Sequence, residues 1–200
     1  MTSLRVEDVG NKWLPTKISL NAAVGECMVI SGPSGVGKSL LLRAIADLDE
    51  HEGRVSFGDS LCSDLPVIDW RKNVGLLAAD SAWWSEKVAD HMPKISNEQL
   101  EKLGFGKEVM KWSVDRLSTG EKQRLAILRL LANKPSVLLL DEPTANLDPD
   151  SVQKVEELLL EYCRNNPAAL IWVSHDMAQA KRIADKRYHF DEKGLNEVES

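Results

Sequence analysis

The chain is 200 residues long, 43% hydrophobic and 28% charged, a balance that suits one globular domain with a sizeable core and excludes a disordered or fibrous protein. Its formal net charge of −6 lacks the strong basic face of a duplex binder, so no nucleic-acid partner is predicted. Cys27, Cys62 and Cys163 are widely spaced, odd in number and outside any metal-ligand pattern, and read as free thiols of a reducing compartment.

The opening segment "MTSLRVEDVG" has no apolar signal core. "CMVISG" (27–32) is a buried-strand pattern running into a glycine-rich loop, and "KSLLLRAIADL" (38–48) follows as a helix. "GRVSFGD" (53–59) alternates like a strand, and "NVGLLAA" (73–79) is a further apolar strand. Between Asp80 and Leu117 no strand pattern occurs, and "NEQLEKLGF" and "KEVMKW" read as short amphipathic helices of a small insertion. "SVLLLDEPT" (136–144) is a strand ending in acidic residues. "DSVQKVEELLLEYCRNN" (150–166) has helical periodicity and stops at Asn165, Asn166 and Pro167. "AALIWVSHD" (168–176) is again a strand with polar residues at its end. No apolar run reaches the roughly 18 residues of a membrane span, so the chain reads as soluble and any membrane role comes through a partner. Alternating strands and helices predict an α/β fold with a parallel sheet, whose ligand sits beyond the strands' carboxyl ends.

Three motifs carry chemistry. "GPSGVGKS" (32–39) fits G-x-x-x-x-G-K-[ST], between a strand and a helix as the phosphate-binding loop requires. The predicted cradle runs from Gly32 through Pro33, Ser34, Gly35, Val36 and Gly37 to Lys38, Ser39 and Leu40. Backbone N–H groups surround the phosphates, Lys38 supplies a point charge and Ser39 offers its hydroxyl to Mg²⁺. In "LLLDE", Asp141 ends a strand where it can hold the metal shell, and Glu142 beside it can polarise an attacking water. In "DRLSTGEKQRLA" (115–126), a loop with Ser118 and Gly120 enters a basic helix, a second helix start suited to an anion.

"GPSGVGKS", "LSTGEKQR", "LLLDEPTANLD" and "VSHD", in this order and spacing, resemble the ATP-binding subunits of the ABC transporter family over essentially the whole chain. The resemblance implies a P-loop NTPase with a RecA-like parallel-sheet core (about 1–79 and 117–200), a small antiparallel β region and a compact α-helical subdomain (about 80–116). It implies hydrolysis of ATP with Mg²⁺. Ser118, Gly120 and Glu121 would read a phosphate held by a second copy, so that ATP cements a head-to-tail homodimer. Asp148 matches the D-loop aspartate at that interface, with Ala145 where serine is usual. His175 matches the switch histidine at the γ-phosphate, and Trp13 the aromatic that stacks on the base. The implied partner is an integral-membrane permease, placing the chain in the cytoplasm on the inner face of the cell membrane. The short tail after "VSHD" implies no regulatory C-terminal domain.

The sequence departs from the family where a strand normally ends in glutamine: the position is Ala79, followed by Asp80. Trp83 and Trp84 come next, in the segment that forms a groove for the permease's coupling helix, and at least one is expected to be exposed. Two alternatives stand beside the transport reading. One is an ABC ATPase acting on a soluble assembly partner. The other is a nucleotide-dependent clamp without turnover, against which Glu142 argues.

Overall fold

In the computed structural model, which describes residues 2–92 and 95–198, the chain opens with β1 (Ser3–Gly10), β2 (Ile18–Ala23) and β3 (Cys27–Ser31). The glycine loop leads from β3 into α1 (Lys38–Ile45), followed by β4 (Glu52–Phe57), β5 (Ser60–Leu61), α2 (Val67–Asn73) and β6 (Val74–Leu77). The next stretch contains α3 (Asn97–Lys102) and several single 3₁₀ turns before α4 (Thr119–Leu131). Then come β7 (Val137–Asp141), α5 (Pro149–Asn165), β8 (Ala169–Val173), α6 (Met177–Ile183), β9 (Lys186–Asp191) and β10 (Gly194–Glu197). Residues 93 and 94, within the predicted helical insertion, lie outside the described residues.

The strands form two sheets. One is antiparallel, in the order β2-β1-β4-β5; the other runs β10-β9-β3-β8-β7-β6 and is parallel from β9 to β6. β3, β7 and β8 are buried along their full length, which is why they read as unbroken apolar runs rather than alternating ones. The pleat still sorts their side chains by parity. Leu138, Leu140, Leu170 and Trp172 join the core beneath α4, α5 and the insertion. Val137, Leu139, Ile171 and Val173 join the core shared with α1, α2 and the antiparallel sheet. Two apolar layers thus clamp one parallel sheet.

The predicted strands and long helices are present with trimmed ends: the first helix stops at Ile45 and the strand at 73–79 stops at Leu77. "KEVMKW" forms a 3₁₀ turn, Lys107–Lys111, rather than an α-helix. α2 and α6 had no sequence signal. α2 buries only Trp70 and exposes Val67 and Ile68, so it has no apolar stripe. α6 spans seven residues, too short for a helical period to stand out. Its start is held by Asp176, whose carboxylate accepts from the N–H groups of Ala178 and Gln179.

Trp70 is fully buried and donates its Nε1–H to Ile45 O at 3.0 Å, tying α2 to the end of the helix that begins at the glycine loop. Trp70→Ala is expected to cost about 3–5 kcal/mol in urea unfolding, whereas a change under about 1 kcal/mol would mean that the α1–α2 contact repacks without it.

Candidate functional site

The glycine loop leaves β3 under tight constraint. Gly32 has φ +147°, and a Cβ there would lie 2.1 Å from Phe190 O at the end of β9, so only glycine lets the loop pass. Gly35 faces open space, and Gly37, at φ +113°, is the N-cap of α1 without a capping side chain. The first N–H groups of α1 are therefore available to an anion. Lys38 is buried and folds back over the loop, donating from Nζ to Gly32 O at 2.9 Å and Pro33 O at 2.8 Å. Burial lowers its pKa, while the carboxylates of Glu142 and Asp141 push it up.

Asp141 ends β7 and is buried. Burial lifts its carboxyl above the usual range, the Ser39 hydroxyl holds it down, and adjacent Glu142 adds to the rise. Glu142 sits at φ +48°, a region side-chain-bearing residues rarely adopt. Its N–H donates to Val173 O at 3.1 Å, so the chain turns sharply out of the strand. Its Oε1 lies 2.9 Å from His175 Nε2, and both side chains are partly exposed. Among the described residues, no group of three or more His, Cys, Asp or Glu side chains could hold a metal. Ser39 and Asp141 alone fit a hard cation that takes its other ligands from phosphate and water, as Mg²⁺ does.

Trp13 is 66% exposed, and Lys12 Nζ lies 4.8 Å above its ring. With Pro33, Ser34, Gly35 and Val36 it lines a cleft of about 660 Å³. The opposite wall is the β9–β10 turn, Asp191, Glu192 and Lys193, which the sequence did not suggest because only tertiary packing brings it to the loop. Leu40 does not line this cleft; it faces an adjoining depression beside Asp47 and Leu48, which Lys12 and Trp13 also line.

Ser118 is the N-cap of α4. Its hydroxyl accepts from Glu121 N–H at 3.2 Å, while Glu121 Oε2 accepts from Ser118 N–H at 2.8 Å. This capping box gives Glu121 a task other than the expected phosphate reading: its carboxylate is spent on the cap and offers an anion no donor. Ser118 keeps a hydroxyl proton to donate. At Gly120 a Cβ would lie 3.0 Å from Asn146 O, so a small residue lets α4 press against the loop at 145–148. Asp148 caps α5 through Ser151 N–H at 3.0 Å and lies 3.8 Å from Arg124 of α4. This helix start and this loop form one surface. α4 packs on β6, three strand positions from β3, or about 14 Å at ordinary spacing.

Past β6, Ala79 and Asp80 are exposed. Trp84 is 69% exposed and Trp83 partly buried, as the sequence led us to expect of at least one. The Arg129 guanidinium lies 4.9 and 5.0 Å from their ring centres, and Trp84, His91 and Arg129 line a groove of about 600 Å³.

Comparison with known proteins gives a consistent picture. The sequence profile of the family described as "ABC transporter" matches residues 15–145. The phosphate import ATP-binding protein PstB of Thermotoga maritima is 34% identical, covering 88% of this chain and 80% of its own. The probable iron export ATP-binding protein FetA of Escherichia coli is 32% identical, covering 88% and 84%. A solved ATP-binding subunit of an ABC transporter superposes with TM-score 0.83 at 21% identity, over 98% of this chain and 90% of that one. A dimeric ATP-binding cassette in a post-hydrolysis state with ADP and Pi superposes with TM-score 0.82 at 23% identity, over 98% and 99%. The fold is the one these structures share.

Asp141 generates a test of the site's electrostatics. Its folded pKa lies above the unfolded one, so the group favours folding below the unfolded pKa, and that contribution is lost as pH rises through the folded value. At neutral pH its charge therefore costs stability. Asp141→Asn is expected to raise the Tm of the ligand-free protein at pH 7. The gain should shrink as pH falls through the raised pKa. An unchanged or lower Tm at pH 7 would contradict this.

Proposed function

Because the chain belongs to the ABC transporter family, we propose that it is the ATP-binding and ATP-hydrolysing motor subunit of a transporter, driving a separate membrane permease. The observation that carries the reading is the Glu142–His175 pair, 2.9 Å apart beyond β7 and β8, beside a phosphate loop that follows the neighbouring β3. The triphosphate lies along the loop and the start of α1. Lys38 exchanges the carbonyls of Gly32 and Pro33 for phosphate oxygens. Ser39 and Asp141 would hold Mg²⁺, which would neutralise charge on the phosphates. Glu142 orients a water in line with the γ-phosphorus and takes its proton, while His175 exchanges its contact with Glu142 for one to the γ-phosphate, to which its Nε2–H donates. Trp13, exposed on the wall of the same cleft, offers a ring face to the base.

The start of α4 does its work across a dimer. α4 packs at the far edge of the sheet from its own phosphate loop, so Ser118 and Gly120 are suited to a phosphate on a second copy, with Asp148 at the same interface. Closure then requires ATP, because only the closed state touches the γ-phosphate from both sides. The residues at 80–116 act as the permease-facing helical subdomain, with Trp84 beside the groove that takes a helix from the permease. No helix among the described residues is long and apolar enough to cross a membrane. The chain reaches the inner face of the membrane through its partner.

The relatives' names include both import and export subunits, which supports transport over a soluble assembly role. Ala79 lacks the polar group that would join the metal site to the permease, so coupling is altered, while hydrolysis persists because Glu142 and His175 remain. Ala79→Gln is expected to change permease-stimulated turnover by at least about two-fold; identical basal and stimulated rates would refute this role.

Glu142→Gln should slow phosphate release by about 10²-fold or more and trap the closed state. Light-scattering mass should double on addition of MgATP. A variant that binds ATP and remains monomeric would remove the homodimer from the proposal.

A further inference from the structure

We propose that Gln179 is a positioning residue for hydrolysis, holding the loop that carries Glu142 at a fixed spacing from the loop that carries His175. The inference rests on the ATPase reading above. Gln179 lies in α6 and is 2% exposed. Its Nε2 donates to Thr144 Oγ1 at 2.9 Å and to Glu156 Oε1 at 2.8 Å. Its Oε1 accepts from Ser174 Oγ at 2.8 Å. Thr144 is two residues beyond Glu142, and Ser174 immediately precedes His175. One buried amide thus bonds both loops from the interior, while the carboxylate and imidazole meet at the surface.

The surroundings force the amide's orientation. Glu156 is 5% exposed, and its carboxylate is gripped by the Arg182 fork at 2.9 and 2.7 Å. An ionised carboxylate only accepts, so the NH₂ end of Gln179 must face it and the oxygen is left for Ser174. Ser174 spends its hydroxyl proton on Gln179 and accepts from Asp176 N–H at 3.1 Å. Filling this volume would require only a leucine. An amide buried here costs free energy unless every bond is made, and when all are made it fixes a single spacing. That spacing is the one on which the Glu142–His175 contact depends.

The test compares ATP turnover and nucleotide affinity in the parent and three variants. Gln179→Leu is expected to keep ATP affinity within about two-fold while kcat falls at least about ten-fold. Gln179→Glu sets a second carboxylate against Glu156. The charged groups around it are Glu156 of α5, which it touches, Arg182 of α6, which grips Glu156, and Asp176, which caps α6 through the N–H of residue 179; the Cys27 thiol of β3 also lies in the field of Glu156. Two close carboxylates retain a shared proton, and a protonated Glu at 179 reproduces the amide's donor. Gln179→Glu is therefore expected to be slow near pH 8 and to approach the parent near pH 6, a rise the parent lacks. The double variant Gln179→Glu with Glu156→Gln reverses donor and acceptor and should recover turnover near pH 8.

A Gln179→Leu kcat within about two-fold of the parent overturns the inference, as does a kcat that falls only in step with ATP affinity. If Gln179→Leu does not fold, the Gln179→Glu series decides: a pH profile parallel to the parent's overturns the inference. A parent without turnover overturns the ATPase reading and this inference with it, whereas an active parent matched by Gln179→Leu overturns the inference alone.

Discussion

Two backbone hydrogen bonds just past the strand ends hold the site together. Ser174 N–H donates to Ile30 O at 3.2 Å, and Glu142 N–H donates to Val173 O at 3.1 Å. They extend the parallel ladder in which Ile30 pairs with Val173 and Val173 with Asp141. The phosphate loop, the acidic pair and the histidine therefore leave the sheet along one line across β3, β8 and β7. A slip of one residue in any of these strands would turn its side chains to the opposite core. With both faces clamped by apolar layers, the core as a whole sets the spacing of the polar groups.

Charge is arranged on that frame. Burial works against the positive charge of Lys38 and against the negative charge of Asp141. Such a site gains most when an anion and a cation arrive together, which suits a nucleotide carrying its metal. The turn at Glu142 has a backbone cost, since φ +48° is a sparsely populated region for a side-chain-bearing residue. The strand ladder and the helices behind it supply the context that maintains this turn.

The surface at the start of α4 is built by different means. The Ser118–Glu121 capping box fixes the start of α4, and the close approach at Gly120, with Arg124 near Asp148, locks that start to the loop before α5. A surface this rigid loses little freedom when it closes on a ligand. Its distance from the chain's own phosphate loop is what the proposed reading across a dimer rests on.

The sequence by itself determined the parallel core and the polar groups gathered at its strand ends. Unbroken apolar runs ending in polar groups reveal buried strands, and the glycine loop has a spacing that little else requires. It did not reveal α2 or α6, because one buries a single side chain and the other has fewer than two turns. The turn at Asp191–Lys193 and the bonds made by Gln179 were also illegible. Each depends on which groups meet across the chain, and periodicity reports only which face a residue presents. Tertiary structure decided those meetings: residues 144, 156, 174 and 179 form one network only because β7, α5, β8 and α6 pack against the same strand ends.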